Sequence, residues 1–200
     1  MASAAERLAS NVNFSAFGKA TELKQRIWFT LGALVVYRLG TYLPIPGVDS
    51  AVLAQVFNAS GGAGVLGMFD MFAGGALGRM SIFALNIMPY ISASIIVQLL
   101  TAVLPSFEQM KKDGEAGRKK LNQYTRFGTV ALAAAQAIGL ASGVASFTGP
   151  NGPAVADPGA VFYVSTVVTI VGGTMFLMWL GEQITARGVG NGISLIIFAG

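Results

Sequence analysis

The chain has 200 residues, 54% of them hydrophobic and only 11% charged, with a net charge of +4 and neither histidine nor cysteine. A soluble domain carries about 25% charged residues, so this is the composition of a polytopic membrane protein. The missing residue types exclude a disulfide framework, a Ser–His pair and an HExxH zinc site in this sequence. The charge excess is too small to point to bound nucleic acid.

The first 20 residues, within a predicted cytoplasmic segment 1–26, contain Glu6, Arg7 and Lys19 and no long apolar core. They do not read as a cleavable signal peptide. Leu8, Val12, Phe14 and Phe17 could anchor an interfacial helix there, with a polar tail as the alternative. Four apolar runs then predict spans at Ile27–Leu43, Met80–Leu104, Phe127–Phe147 and Val161–Leu180. A fifth run begins at Gly192 and reaches only Gly200, short of the about 20 residues a crossing needs, so an incomplete last span is expected.

The stretch Gly64–Ser81, "GVLGMFDMFAGGALGRMS", is apolar but holds five glycines and a central Asp70. Each interior glycine costs a helix about 1 kcal/mol against alanine. An aspartate at the bilayer centre costs about 2.5 kcal/mol or more. A poorly helical piece survives at membrane depth only against protein or a water-filled cavity. Charge then decides the topology. If this stretch does not cross, Arg7, Lys19, Lys24, Arg26, Lys111, Lys112, Arg118, Lys119, Lys120, Arg126 and Arg187 share one side, eleven of the 13 basic residues. The opposite loop, Thr148–Ala160, has none. The positive-inside rule therefore predicts a cytoplasmic amino terminus and a re-entrant Gly64–Ser81 on the outer side.

Placing residues about 100° apart brings Ile87, Ile91, Ser94, Gln98 and Thr101 within about 80° of one another on the second span. At about 1.5 Å per residue the two isoleucines lie about 11–17 Å below the outer end, near the midplane. This order fits a cytoplasmic funnel closed by an apolar constriction. It also fits ordinary packing of Ser, Gln and Thr against neighbouring helices, and the face alone leaves both open. Met68, Phe69, Met71 and Phe72 of the re-entrant stretch would form a movable apolar stopper above that constriction, methionine being adaptable enough to pack in more than one state.

The stretches "LGTYLPIPGVD", "MFDMFAGGALGRMSIFALNIMPYISASIIVQLL", "KKDGEAGRKKLNQYTRFGT" and "GTMFLMWLGEQITARGVGNGISLIIFAG" occur in the order and spacing of the SecY family, and the sequence resembles the amino-terminal half of its members. The resemblance implies an all-α polytopic bundle, the first five spans of a ten-span channel built from two inverted halves. It implies a protein-conducting channel subunit and no enzyme, moving unfolded preproteins across, and apolar segments sideways into, the bacterial plasma membrane. It also implies a pore ring at Ile87, Ile91, Ile193 and Ile197. A plug over Gly64–Ala76 matches Gly64, Leu66, Met68, Phe69, Asp70, Met71, Phe72, Gly74 and Gly75. The funnel lining is Ser94, Gln98 and Thr101. Ser92, about 140° from Ile87 on the helix, matches a lateral-gate position. The implied partners are SecE and SecG, the SecA motor or a ribosome, preprotein signal sequences and membrane lipids, with no cofactor, metal or directly bound nucleic acid.

Two features resist the pattern. Hydropathy sets Ile193 near the cytoplasmic surface, whereas the resemblance sets it in the ring. Asn86 stands where relatives usually carry a small residue, and its amide is expected to bond to the plug or a neighbouring span. "GVGNG" at Gly188 lacks the lysine of a phosphate loop and reads as a tight turn before a helix. A small-solute transporter is the rival function, since inverted repeats and broken helices serve that class too. Against it, no acidic residue lies centrally in a complete span.

Overall fold

The computed structural model describes residues 21–59, 67, 70, 71, 73–149 and 152–200. Seven helices order these residues: α1 (Thr21–Gly40), α2 (Ser50–Ala59), α3 (Met88–Val103), α4 (Pro105–Lys112), α5 (Gly114–Ala145), α6 (Ala160–Arg187) and α7 (Gly192–Ala199). Between α5 and α6 a two-strand hairpin pairs β1 (Thr148–Gly149) with β2 (Gly152–Pro153). Helices α5 and α6 are each long and apolar enough to cross a membrane. Helices α3 and α4 pass that test only as a pair, bent by 101° at Leu104, whose extended backbone and following Pro105 end one helix and begin the next. The amino-terminal segment up to residue 20 lies outside the described residues.

One end of the bundle gathers the carboxyl end of α1, helix α2 and the hairpin. Pro44 bridges Ser81 and Val48 bridges Val155. The Ile45 amide donates to the Met80 carbonyl (2.8 Å) and the Ile82 amide to the Leu43 carbonyl (3.0 Å). The chain from Pro44 to Ser81 therefore leaves and returns at the same end. Among its described residues, the amides of Ile45, Asp49, Gly74, Gly75, Ala76, Met80 and Ser81 find carbonyl partners within the protein, as backbone away from water requires. At the opposite end Arg26 donates to the Gly188 carbonyl, and Phe107 of α4 packs on Tyr124 of α5.

The second predicted span departs from expectation. Only Met88–Val103 is helical, and 81–87 is a bridge followed by turns, with left-handed backbone at Met80 (φ 45°) and Asn86 (φ 49°). Pro89 is the reason. It has no amide to give a helix interior but fits the first turn, so the helix starts beside it. Ile87 is thus the residue before the helix rather than a member of its surface. Its carbonyl still accepts from the Tyr90 and Ile91 amides (3.1 Å each), which keeps Ile91 one turn away. The third run also changes: α5 begins at Gly114, so Arg118, Lys119, Lys120 and Arg126 stand on a helix, and Arg126 pairs with Glu182 of α6.

Small residues let the helices close. Thr125, Thr129, Ala133, Ala137 and Ala141 recur every fourth residue along the buried stripe of α5. Thr125 and Thr129 donate their hydroxyls to carbonyls one turn back, so no polar group is left over. Two apolar clusters result. One joins Ile45, Leu53, Leu77, Met80, Val144 and Phe162 at the end carrying the hairpin. The other lies deeper, around Tyr37, Phe83, Ile87, Leu177, Ile184 and Ile196.

Phe83 ties that second cluster together. Its ring stacks between Tyr37 of α1 and Phe176 of α6, at 6.1 and 5.9 Å between centroids. It occupies the space that a side chain at Gly40 would need. On α6, a Cβ at Gly173 would overlap the Ile82 carbonyl oxygen, whereas one at the neighbouring Gly172 would meet nothing. Gly173→Ala in the full-length protein is therefore expected to cost about 1–3 kcal/mol by overpacking. Gly172→Ala should be neutral or stabilising by up to about 1 kcal/mol. Thermal unfolding of the two purified variants checks the contrast.

Candidate functional site

The deeper cluster contains all four isoleucines singled out in the sequence. Ile87 is fully buried at the head of α3, while Ile91, Ile193 and Ile197 are half-buried and pack against the same core. The depth conflict at Ile193 has a geometric answer. Helix α6 runs on to Arg187, but α7 does not begin level with its end. The Gly188–Asn191 turn folds back so that a Cβ at Gly192 would overlap the Gly181 carbonyl oxygen, and one at Gly181 would lie 3.2 Å from Cγ1 of Ile193. Gly181 is six residues before Arg187, so Ile193 lies about 9 Å inward of the end of α6. Hydropathy could not see this, because it assumes that a helix begins at the surface.

The α3 face beyond Ile91 carries Ser94, Gln98 and Thr101. Ser94 Oγ accepts from Gln98 Nε2 at 3.3 Å, and Thr101 donates to the Gln98 carbonyl at 2.6 Å. These groups satisfy one another along their own helix, and Gln98 stays exposed. Ala93 and Val97, a different stripe, are the α3 residues buried against the bundle. Ser94 and Thr101 are half-buried beside that stripe.

Of the Gly64–Ser81 stretch, Gly64, Leu66, Met68, Phe69 and Phe72 lie outside the described residues. Met71 is exposed. Asp70 finds its partner in backbone: Oδ1 accepts from the Gly78 amide at 2.7 Å, and its own carbonyl accepts from the Gly75 amide at 2.9 Å. A charge-assisted bond to an amide inside the protein answers the cost of an aspartate in an apolar stretch. Between the two bonded points lie Gly74 and Gly75, both left-handed (φ 63° and 76°), a conformation glycine adopts without steric cost. Arg79 lies against this turn with its guanidinium 4.5 Å above the Tyr42 ring.

Ser92 is separated from the isoleucines. It lines a cavity of about 510 Å³ between α3, α5 and the re-entrant stretch, together with Met80, Asn86, Gln136, Gly139 and Phe147. Gln136 was legible only as an isolated polar residue in an apolar span, with no signal of what it faced. The cavity walls are mostly apolar, with Ser92, Asn86 and Gln136 as its polar side chains, a lining suited to an apolar segment that carries a few polar groups. Asn86 is buried, on left-handed backbone, at the edge of this cavity.

A family model described as SecY matches residues 81–200. The chain is 59% identical over 186 residues to the protein translocase subunit SecY of Buchnera aphidicola subsp. Acyrthosiphon kondoi, covering 93% of this chain and 52% of that protein. It is equally similar, at 59% over 186 residues, to the protein translocase subunit SecY of Escherichia coli K12, of which it covers 42%. The chain thus spans about half the length of these relatives. Among solved structures it resembles Sec61 in the canine ribosome–channel complex from the endoplasmic reticulum. That match has a TM-score of 0.63 and 21% identity, over 89% of this chain and 36% of that one. The likeness shows the fold of a helical membrane channel.

The Asp70 bond makes a checkable claim about the re-entrant stretch. A hydrogen bond to a charged group contributes about 1.5–3 kcal/mol. Asp70→Ala in the full-length protein should therefore speed hydrogen exchange at the Gly78 amide by about tenfold or more. Exchange at the amides of α5 should not change.

Proposed function

This chain belongs to the SecY family, and on that premise we propose that it forms one half of a protein-conducting channel. The observation that carries the proposal is the meeting of Ile87, Ile91, Ile193 and Ile197 in one apolar cluster, drawn from the first turns of two helices that begin inside the bundle. Aliphatic side chains offer a sliding polypeptide no directional bonds, and they exclude water and ions when the channel is empty. Ser94, Gln98 and Thr101 line the approach from the cytoplasm, and the stretch from Gly64 to Ala76 acts as the plug on the far side. The cavity at Ser92 and Gln136 is the edge of a lateral gate, where an apolar signal sequence leaves for the lipid.

The chain sits in the bacterial inner membrane with its amino terminus in the cytoplasm. SecE and SecG are its channel partners. SecA or a ribosome supplies the driving force. A solute transporter is set aside, because the relatives it resembles are translocase subunits.

Ile91→Ser and Ile197→Ser, each in the full-length channel with its partner subunits, are expected to raise resting ion conductance in planar bilayers. A rise of about tenfold corresponds to about 1.4 kcal/mol off the barrier. Unchanged conductance in both variants would remove the constriction from these residues.

A further inference from the structure

The turn that sets α7 back into the bundle is held by side chains far from any pore. Thr30 of α1 is buried, and its hydroxyl bonds twice. It donates to the Arg26 carbonyl (2.8 Å) and accepts the Val189 amide (3.1 Å). The Gly188 position confirms how tight the seat is: a Cβ there would lie 2.5 Å from Thr30 Oγ1 and 2.6 Å from the Ile184 carbonyl oxygen. Thr185 of α6 holds the next residues. Its hydroxyl donates to the Gly181 carbonyl (2.9 Å) and accepts the Gly192 amide (2.9 Å). Asn191 then accepts the Ile193 amide on Oδ1 (3.1 Å), capping α7.

Each of these side chains accepts a backbone amide that has no main-chain hydrogen bond here. Together they fix both the height and the rotation at which α7 starts. Ile193 is the residue after Gly192, and Ile197 follows one turn later, so the bracket fixes where both isoleucines stand.

We infer that Thr30 is a positioning residue for the apolar constriction, acting through the Val189 amide and the turn before α7. The inference rests on the constriction proposed above, but the residue lies on another helix and its hydroxyl bonds to none of the four isoleucines. With the Thr30 acceptor gone, the turn can relax toward the surface and carry Ile193 and Ile197 out of line with Ile87 and Ile91. The seal then loosens without any change in its own side chains.

The test compares resting ion conductance of the full-length channel, assembled with its partner subunits, for Thr30→Val, Thr30→Ser and Ile197→Ser. Valine keeps the shape and loses both bonds, whereas serine keeps the hydroxyl. The expected result is a leak from Thr30→Val, about fivefold for one lost hydrogen bond, no leak from Thr30→Ser, and a leak from Ile197→Ser. A tight, normally assembled Thr30→Val beside a leaky Ile197→Ser would overturn the positioning role and leave the constriction standing. A tight Ile197→Ser together with a tight Ile91→Ser would bring down the constriction, and the inference with it. Should Thr30→Val fail to assemble, Thr185→Val decides, because it removes the acceptor of the Gly192 amide from the other side of the same turn.

Discussion

Backbone that is not helical can lie at membrane depth only if its amides and carbonyls find partners within the protein. Several of the residues proposed as functional sit on or beside such backbone. The turns over 82–87 set Ile87 in the core and are tied to the 43–45 stretch by main-chain bonds. The stretch around Gly74 and Gly75 is tied by Asp70. The turn before α7 is tied by Thr30, Thr185 and Asn191. Polar side chains that look misplaced in an apolar sequence are the means by which helices can begin halfway through the bundle.

That requirement explains the arrangement of the proposed constriction. A helix that begins inside the bundle offers its first turn as a fixed edge, and α3 and α7 each place an isoleucine pair there. Glycine lets the edges approach: Gly181 and Gly192 admit α7 against α6, and Gly40 admits the Phe83 ring between α1 and α6. In lipid there is no hydrophobic gain from pressing one apolar helix on another, so such close contact is what holds them. The stack of Tyr37, Phe83 and Phe176 lies directly beside Ile87 in the cluster and braces it from two helices.

Much of this was legible in the residues, and unevenly so. The apolar runs marked the helices, and the spread of basic residues over the loops suggested a stretch that does not cross. Spacing alone could not find where α3 begins, because hydropathy continues unbroken through 80–87. Pro89 held that information, but a proline in a membrane span can also be a kink, so its meaning depended on the left-handed backbone at Asn86. The depth of Ile193 was misleading for a related reason. Long-range contacts between Gly181 and Gly192 set it, and neither glycine announces a partner. Nothing in the sequence marks the partners of Gln136 and Thr30, and only the fold shows that one faces a cavity with Ser92 and the other holds a distant turn.

The central claim is that residues from α3 and α7 close on one another across a single opening. Cross-linking measures this most directly. A full-length channel carrying Ile91→Cys and Ile197→Cys, in its natural assembly, is treated with a short thiol-specific cross-linker, first empty and then with a translocating polypeptide arrested inside. The account predicts efficient cross-linking in the empty channel and a marked loss when the polypeptide is present. Absence of cross-linking in the empty channel, or a yield that the polypeptide does not change, would contradict it.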